Sequence, residues 1–160
     1  MTIRIEPLAP EEFAPYGDVL DATGDPDALI NQGLCGRYHD RARMDFGLRG
    51  QAGISIFKAE LRSLPYRLDM MERHPDGSQA FLPMDRGRFL VVVARDVDGR
   101  PEEIRAFRAS PGQGVNYLRN VWHGVLAPLS GDGVYAVVDR IGDTQNLEEH
   151  WFATPFMIED

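Results

Sequence analysis

Short apolar segments separated by turn-forming residues run along almost the whole chain, and this feature most restricts its fold. Eleven prolines and sixteen glycines are spread over 160 residues, so no stretch has room for a long amphipathic helix. The apolar segments are rich in β-branched and aromatic residues, which is typical of strands. Strands are predicted at residues 54–61, 66–74, 79–83, 89–94, 104–109, 122–126 and 134–140. Many short strands favour a sandwich or small barrel, an all-β fold with short helical turns.

The remaining segments are predicted to be an edge strand, a helical turn, a loop and a short helix. Residues 2–5 resemble an edge strand, and residues 9–13 a helical turn with a proline and two glutamates at its start. Residues 21–36 are rich in Gly, Asp and Asn and are predicted to form a long loop. Residues 146–152 are predicted to be helical, with Asn146 as N-cap. No repeat or linker divides the chain, so a single domain is predicted over residues 1–160.

Composition restricts the partners and the cellular compartment. The formal net charge is −8, which argues against nucleic-acid binding because phosphate contacts need a basic surface. A small anionic substrate needs only a local Arg or Lys. The single cysteine, Cys35, cannot form an intrachain disulfide, which suits a reducing compartment. There is no apolar stretch of signal-peptide or membrane-spanning length, so we expect a cytoplasmic protein without a membrane partner.

Two ionisable side chains interrupt the apolar face of the predicted strand at residues 66–74. Alternate side chains of a strand point to the same side, which places on one face Tyr66, Leu68, Met70, Glu72 and His74. This face is predicted to line the inside of the barrel or sandwich. Burying a carboxylate and an imidazole is unfavourable without partners, so the pair indicates a functional site. The alternative is that Pro75 ends the strand and leaves both residues as a solvated rim.

A second polar cluster follows a tight turn that a proline and two glycines predict at residues 111–114. The polar residues after this turn are Asn116, Arg119, Asn120 and His123. In one unbroken strand, His123 would lie on the opposite side from Asn116 and Asn120. It reaches the same pocket only if a turn or bulge lies at residues 119–122. The alternative is a turn and strand whose polar residues form an ordinary rim.

Together the two clusters resemble a degenerate cupin signature. The first cupin motif has two histidines flanking one residue and then a glutamate, and here Glu72, His74 and Gln79 stand at these positions. The second motif is Pro-x-Gly-x-x-His-x-x-x-Asn, and here Asn116 takes the histidine position, with Asn120 four residues later. The resemblance implies a cupin-type double-stranded β-helix, or jelly-roll, barrel in which three of the four metal ligands are replaced.

Over nearly its whole length the chain also resembles the ureidoglycolate lyase family. The most specific stretches are HP-x-x-SQAF at residues 74–81 and GQGVNY-x-x-x-VWH at residues 112–123. Further matching stretches lie at residues 13–20, 31–40, 89–94, 137–140 and 146–149, and the loop at 142–145 is less glycine-rich than the family pattern. The resemblance implies cleavage of ureidoglycolate into glyoxylate and urea, in the breakdown of purines through allantoin.

This activity suggests roles for the polar residues of both clusters. The elimination needs a base for the substrate hydroxyl and an acid for the leaving urea nitrogen, and groups that titrate near neutral pH suit both tasks. The candidates are His74 and His123, with Glu72 either orienting His74 or acting itself. Candidates for binding the urea group, by their amides or hydroxyl, are Gln79, Asn116, Asn120 and Ser78. Candidates for binding the substrate carboxylate, which needs a cation, are Arg37, Arg119, Arg140 and Lys58.

Weak metal binding and a homodimer are further expectations. Glu72, His74 and Gln79, with His123 nearby in space, can hold a divalent ion such as nickel, zinc or manganese. Amides at two of the four ligand positions make a poor primary shell, so this binding is expected to be weak and non-structural. The family resemblance implies a homodimer, with aromatic anchors at Trp122, Trp151, Phe152 and Phe156. The alternative is that the C-terminal aromatic residues cover the barrel of their own chain.

Two other functions are compatible with the sequence. One is a non-catalytic cupin that binds a small carboxylic acid, because a fold does not determine a function. The other is an amidohydrolase that releases ammonia and carbon dioxide from ureidoglycolate. Two acid–base groups that converge with polar amides favour an enzyme over a binding protein.

Overall fold

The computed structural model describes residues 1–160 and consists almost entirely of β-strands. The single helix, α1, covers Pro10–Phe13. The strands are β1 Thr2–Pro7, β2 Gly17–Leu20, β3 Ala28–Ile30, β4 Cys35–Arg37, β5 Gln51–Lys58, β6 Tyr66–Arg73, β7 Gln79–Pro83, β8 Phe89–Val97, β9 Arg100–Arg108, β10 Gly114–Tyr117, β11 Trp122–His123, β12 Ala127–Pro128, β13 Val134–Ile141 and β14 Glu148–Glu159. The predicted all-β fold class is confirmed, and the architecture is consistent with a cupin jelly-roll barrel. No helix has the length and hydropathy needed to span a membrane.

Six strands form a closed barrel in the order β11, β6, β14, β1, β9 and β8, and pairing between β8 and β11 closes it. Apolar side chains fill its interior, among them Leu68, Val92, Trp122 and Ile158. β1 lies between β14 and β9 and runs parallel to both, so the prediction that residues 2–5 form an edge strand is wrong. The partners of β1 come from the second half of the chain, and local sequence carries no signal for such a distant pairing.

A five-stranded antiparallel sheet, in the order β2, β10, β7, β13 and β5, packs against the outside of the barrel. The core between the two layers joins Phe81 and Tyr117 of the sheet to Val91 and Phe107 of the barrel. β8 contributes alternate residues to this core and to the barrel interior. Burial of both faces explains why residues 89–94 are apolar throughout.

Two local predictions are wrong because tertiary pairing outweighs local signals. Residues 146–152 do not form a helix, since β14 begins at Glu148 and pairs with β6 on one side and β1 on the other. The side chain of Asn146 does not cap a helix but accepts a hydrogen bond from the backbone N–H of Asp76 at 2.7 Å. The predicted loop at residues 21–36 contains a small hairpin of β3 and β4.

The side chains of β6 do not alternate as predicted. Leu68 and Met71 both belong to the barrel interior although they are three residues apart, and the register between β6 and β14 shifts beside them. The irregularity separates Leu68 from Glu72, which lies beside His123 in the layer between barrel and sheet. The predicted common face for residues 66–74 is therefore wrong, because Leu68 and Met71 face the barrel interior whereas Glu72 faces His123.

The aromatic residues predicted as interface anchors belong mostly to the barrel's own core. Trp122 is buried in the barrel, and Phe152 and Phe156 pack against the same cluster. Only Trp151 is largely exposed, at 64%. Three of the four predicted anchors thus pack within their own chain.

Candidate active site

Glu72, His74 and His123 meet where β6 and β11 lie side by side. The two strands pair with His123 opposite Glu72. Oε1 of Glu72 lies 3.7 Å from Nε2 of His123 and 4.0 Å from Nε2 of His74, and the two imidazole ring centres are 5.2 Å apart. One carboxylate oxygen thus faces two imidazole nitrogens, an arrangement suited to proton transfer or to binding a cation.

A turn brings His123 into this cluster. β10 ends at Tyr117, Asn120 has a positive φ of 66°, and β11 belongs to the barrel rather than to the five-stranded sheet. The condition that a turn must intervene at residues 119–122 is therefore met. His123 is buried and stacks on Tyr117, with ring centres 4.2 Å apart and planes 12° apart.

Backbone carbonyls orient both histidine rings in the same way. Nδ1 of His123 lies 3.0 Å from the carbonyl oxygen of Val121, and Nδ1 of His74 lies 2.7 Å from that of Asn146. A carbonyl oxygen only accepts, so each Nδ1 carries a proton and each Nε2 points toward Glu72. Nε2 of His123 is buried without a hydrogen-bond partner. The two rings are held ready to accept a proton or a metal ion at Nε2.

Gln79 and Asp139 extend the cluster from the five-stranded sheet. Oε1 of Gln79 lies 3.0 Å from Nε2 of His74, and Nε2 of Gln79 donates to Oδ2 of Asp139 at 3.0 Å. Asp139 and Tyr117 were not among the predicted site residues. Alternation with the buried Tyr135 and Val137 would have placed Asp139 on the inner face of β13.

The surroundings lower the pKa of both Glu72 and His74. Burial alone would raise the pKa of Glu72, but the nearby imidazoles of His123 and His74 outweigh burial and lower it. Burial and repulsion from His123 lower the pKa of His74, against the opposing effects of Asn146, Glu72 and Gln79. Glu72 is therefore ionised at neutral pH, and a protonated His74 gives up its proton readily.

These shifts predict how stability depends on pH. His74 has an ordinary pKa of 6.5, which we take for the unfolded chain. Because its pKa is lower in the folded state, the unfolded chain binds more protons below pH 6.5, and stability is lost as the pH falls through the folded pKa. We expect His74→Asn to flatten the slope of unfolding free energy between pH 7 and 5, a slope that cannot exceed about 1.4 kcal/mol per pH unit for one group.

Urea unfolding at a series of pH values in the presence of EDTA measures this slope. His39→Asn is the matched control, because His39 is exposed and its only polar contact is a backbone hydrogen bond to Asp27. A slope that stays the same in His74→Asn and in the wild type would contradict the assignment.

The structure does not bring Asn116 to the cluster, contrary to the prediction. Its neighbours Val115 and Tyr117 face the core, so alternation turns Asn116 to the opposite side of the sheet. There its Nδ2 donates to Oδ2 of Asp18 at 3.0 Å and to the carbonyl oxygen of Arg43 at 3.2 Å. Asn116 fastens the segment around Arg43 to the sheet.

Three other predicted residues lie next to the cluster without entering it. The backbone N–H of Asn120 donates to the carbonyl oxygen of His74 at 2.9 Å. Nε of Arg119 donates to the carbonyl oxygen of Pro75 at 2.6 Å, and the side chain is 46% exposed. Ser78 is buried, and its hydroxyl bonds to the backbone of Asp45. Among the candidate cations, Arg119 is thus the one whose side chain bonds the residue next to His74.

The remaining candidate cations lie elsewhere, and their predicted place at the site is wrong. Arg37 is exposed on the separate hairpin of β3 and β4. Phe57 of β5 packs on Phe81 of the core, so its neighbour Lys58 lies on the opposite face of the strand. Arg140 donates to the carbonyl oxygens of Phe46 and Leu48.

The donor set of the cluster fits a divalent cation. Ligand atoms of Glu72, His74 and His123 all lie within 4.8 Å of one another. Both Nε2 atoms face the carboxylate, and backbone carbonyls hold the opposite ring nitrogens, as is usual for metal-binding histidines. The amide oxygen of Gln79 stands beside His74. The structure thus places His123 beside Glu72 and His74, as the sequence predicted for the possible metal site.

Comparisons with known proteins agree on one family. A family model described as ureidoglycolate lyase matches residues 1–159. The chain is 60% identical to the ureidoglycolate lyase of Rhodobacter capsulatus, with 98% of each chain covered. It is 48% identical to ureidoglycolate lyase 2 of Rhizobium meliloti, covering 98% of this chain and 97% of the relative. It is 46% identical to the ureidoglycolate lyase of a Chelativorans species, covering 98% of this chain and 95% of the relative.

Proposed function

The chain belongs to the ureidoglycolate lyase family, and we propose that it is a single catalytic domain that cleaves ureidoglycolate into glyoxylate and urea. The observation that carries the proposal is the cluster in which two imidazole Nε2 atoms lie within 4.0 Å of one Glu72 oxygen. The reaction moves one proton from the substrate hydroxyl to the departing urea nitrogen while the carbon–nitrogen bond breaks and a carbonyl forms. A base and an acid a few ångströms apart can perform this transfer.

Glu72 is assigned as the base and His74 as the acid. Glu72 is ionised because its pKa is lowered, and its side chain is 21% exposed, so a substrate hydroxyl can reach it. Both ring nitrogens of His74 face oxygen atoms that accept hydrogen bonds, so an imidazolium fits this position. The proton that Glu72 takes up passes to Nε2 of His74 across the 4.0 Å between them, and His74 gives it to the departing urea nitrogen, so that both groups return to their starting states.

His123 supports Glu72 rather than contacting the substrate. Its side chain is only 2% exposed, and Tyr117 covers one face of the ring. Its Nε2 faces Glu72 at 3.7 Å. We assign to Arg119 the binding of the substrate carboxylate, because the guanidinium is half exposed and its two Nη atoms lie 3.8 Å and 4.0 Å from the nearest carboxylates. These loose contacts leave it free to bind an anion.

The same cluster is proposed to bind a divalent metal ion weakly, with Glu72, His74, His123 and the amide oxygen of Gln79 as the residues that would hold it. Imidazole and oxygen donors suit nickel, zinc or manganese. Such an ion would supply Lewis acidity toward a substrate oxygen. Assays after EDTA treatment and after addition of Ni²⁺ determine whether the side chains suffice.

The proposed reaction is tested by incubating the purified protein with ureidoglycolate and assaying glyoxylate, urea and ammonia separately. Equal amounts of glyoxylate and urea without ammonia are the expected result. Ammonia in place of urea would show the amidohydrolase reaction instead. Binding of ureidoglycolate without any product would show a non-catalytic binding protein, and either outcome would overturn the proposal.

We also propose a cytoplasmic homodimer. The single cysteine is free and exposed, as suits a reducing compartment. β5 is the edge strand of its sheet, with Ile54 75% exposed and Ile56 59% exposed. An edge with unpaired backbone groups and apolar side chains favours pairing with the same strand of a second copy.

Charges placed on β5 test this assembly. We expect the double variant Ile54→Asp, Ile56→Asp to be monomeric by light scattering at micromolar concentration, while the wild type has the mass of a dimer. Leu34→Asp is a matched control, because Leu34 is 87% exposed on the hairpin between β3 and β4. A wild-type protein with the mass of one chain would contradict the homodimer.

A further inference from the structure

The orientation of the Gln79 side-chain amide is determined by its partner on the neighbouring strand. Gln79 of β7 and Asp139 of β13 lie directly opposite each other in the sheet, so their side chains share a face. Nε2 of Gln79 lies 3.0 Å from Oδ2 of Asp139. A carboxylate only accepts hydrogen bonds, so the NH₂ end of the amide must face Asp139. The oxygen end therefore faces His74, at 3.0 Å from Nε2.

Asp139 has no other polar partner in the structure. Its neighbour in sequence, Arg140, donates to the carbonyl oxygens of Phe46 and Leu48, and no ion pair involves Asp139. A half-buried carboxylate whose only partner is a neutral amide is unfavourable for stability alone. Gln79 itself is only 6% exposed, so water does not compete for its amide.

We infer that Asp139 is a positioning residue, which locks the Gln79 amide so that its oxygen faces the Glu72, His74 and His123 cluster. The catalytic consequence rests on the proposed function. The oxygen accepts a hydrogen bond from a protonated Nε2 of His74, and it also suits a bound cation. A reversed amide would place NH₂ against this N–H and offer no oxygen to a cation. Asp139 thus acts on the reaction through Gln79 without touching the substrate.

Exchanging the amide and the carboxylate between positions 79 and 139 tests this orientation directly. We expect Asp139→Ala to lower kcat/KM for ureidoglycolate by about 10- to 100-fold, the usual effect of losing an outer partner of a site residue. Gln79→Glu should lose at least as much, because two carboxylates then face each other and repel. In the double variant Gln79→Glu, Asp139→Asn, the new asparagine can donate to the new carboxylate, whose other oxygen again faces His74. This variant should recover kcat/KM by about tenfold or more over Gln79→Glu.

A structural role alone would not give this rescue, which separates positioning from simple stabilisation. Asp69→Ala is the matched control, because Asp69 pairs only with the exposed Arg67, and it should leave kcat/KM unchanged. Thermal unfolding of every variant shows whether the fold is kept. Unchanged activity in Asp139→Ala, or a double variant no better than Gln79→Glu, would overturn the inference.

Nuclear magnetic resonance of the free protein separates this inference from the proposed function. In ¹⁵N-glutamine-labelled protein, the side-chain NH₂ signals of Gln79 are identified by their absence in Gln79→Glu. We expect slow exchange with solvent in the wild type and faster exchange with a shifted resonance in Asp139→Ala. If the wild type makes no glyoxylate and urea, the proposed function fails. The NMR signals still test whether Asp139 holds the Gln79 amide in place. Signals that are identical in wild type and Asp139→Ala would refute it.

Discussion

Replacing His74 by alanine should lower kcat/KM for ureidoglycolate by about 10²- to 10⁴-fold, the effect typical of a lost acid–base group. His74 lies between the base Glu72 and the oxygen of Gln79. The only other side chain that bonds Gln79 is Asp139, which accepts a hydrogen bond from it. The fold should be retained, because His74 follows the end of β6 and belongs to neither hydrophobic core. Steady-state kinetics together with thermal unfolding measure both effects.

His39→Ala is the matched control for this variant. His39 lies on an exposed loop and its ring makes no hydrogen bond, so the variant should keep wild-type kinetics. If His74→Ala loses less than about tenfold, its role as the acid would be untenable. The proton would then have to come from another member of the cluster.

The sequence located half of the cluster because that half lies on one short segment. Glu72 and His74 stand two residues apart at the end of a strand, and Gln79 begins the next strand, so local alternation and a short turn suffice to group them. Their environment was predicted less well. Leu68 and Met71 both face the barrel interior although strict alternation would separate them, and no residue in the segment signals this departure.

The other half of the cluster depends on strands that meet only in the folded chain. His123 joins the cluster because a turn carries the chain from the five-stranded sheet to the barrel wall. The same turn leaves Asn116 on the far side of the sheet, where it bonds Asp18. Motif position alone therefore misassigned Asn116. Asp139 was not among the predicted site residues, yet its side chain bonds Gln79 on another strand.

Turn residues and apolar runs located the longer strands, but they predicted neither the strand order nor six of the fourteen strands, namely β2, β3, β4, β10, β12 and β14. The seven predicted strands all exist, although the one at 122–126 is shorter. The wrongly predicted helix at residues 146–152 shows the limit of capping signals. In this segment β14 gains hydrogen bonds with β6, which outweigh the small helix preference of one N-cap and two acidic residues.

The site depends on the contact between barrel and sheet, so a cavity in that contact should have a large effect on stability. We expect Phe107→Ala to lower the free energy of unfolding by about 3–5 kcal/mol, a large part of the roughly 5–15 kcal/mol of a typical domain. Phe107 of β9 is completely buried and meets Phe13 of α1 edge to face, with ring centres 5.9 Å apart. Urea unfolding measures the change.

Phe57→Ala is the comparison. Because Phe57 is 38% exposed on the edge strand β5, this substitution should lower the free energy of unfolding markedly less than Phe107→Ala does. The larger loss at Phe107 should also reach the site. Glu72, His74 and His123 belong to the barrel side, whereas Gln79 and Asp139 belong to the sheet, so loosening one layer against the other separates the two halves. We therefore expect Phe107→Ala to lose activity on heating together with its fold, at a lower temperature than the wild type. An equal loss of stability in both variants would show that this core does not hold the two layers together.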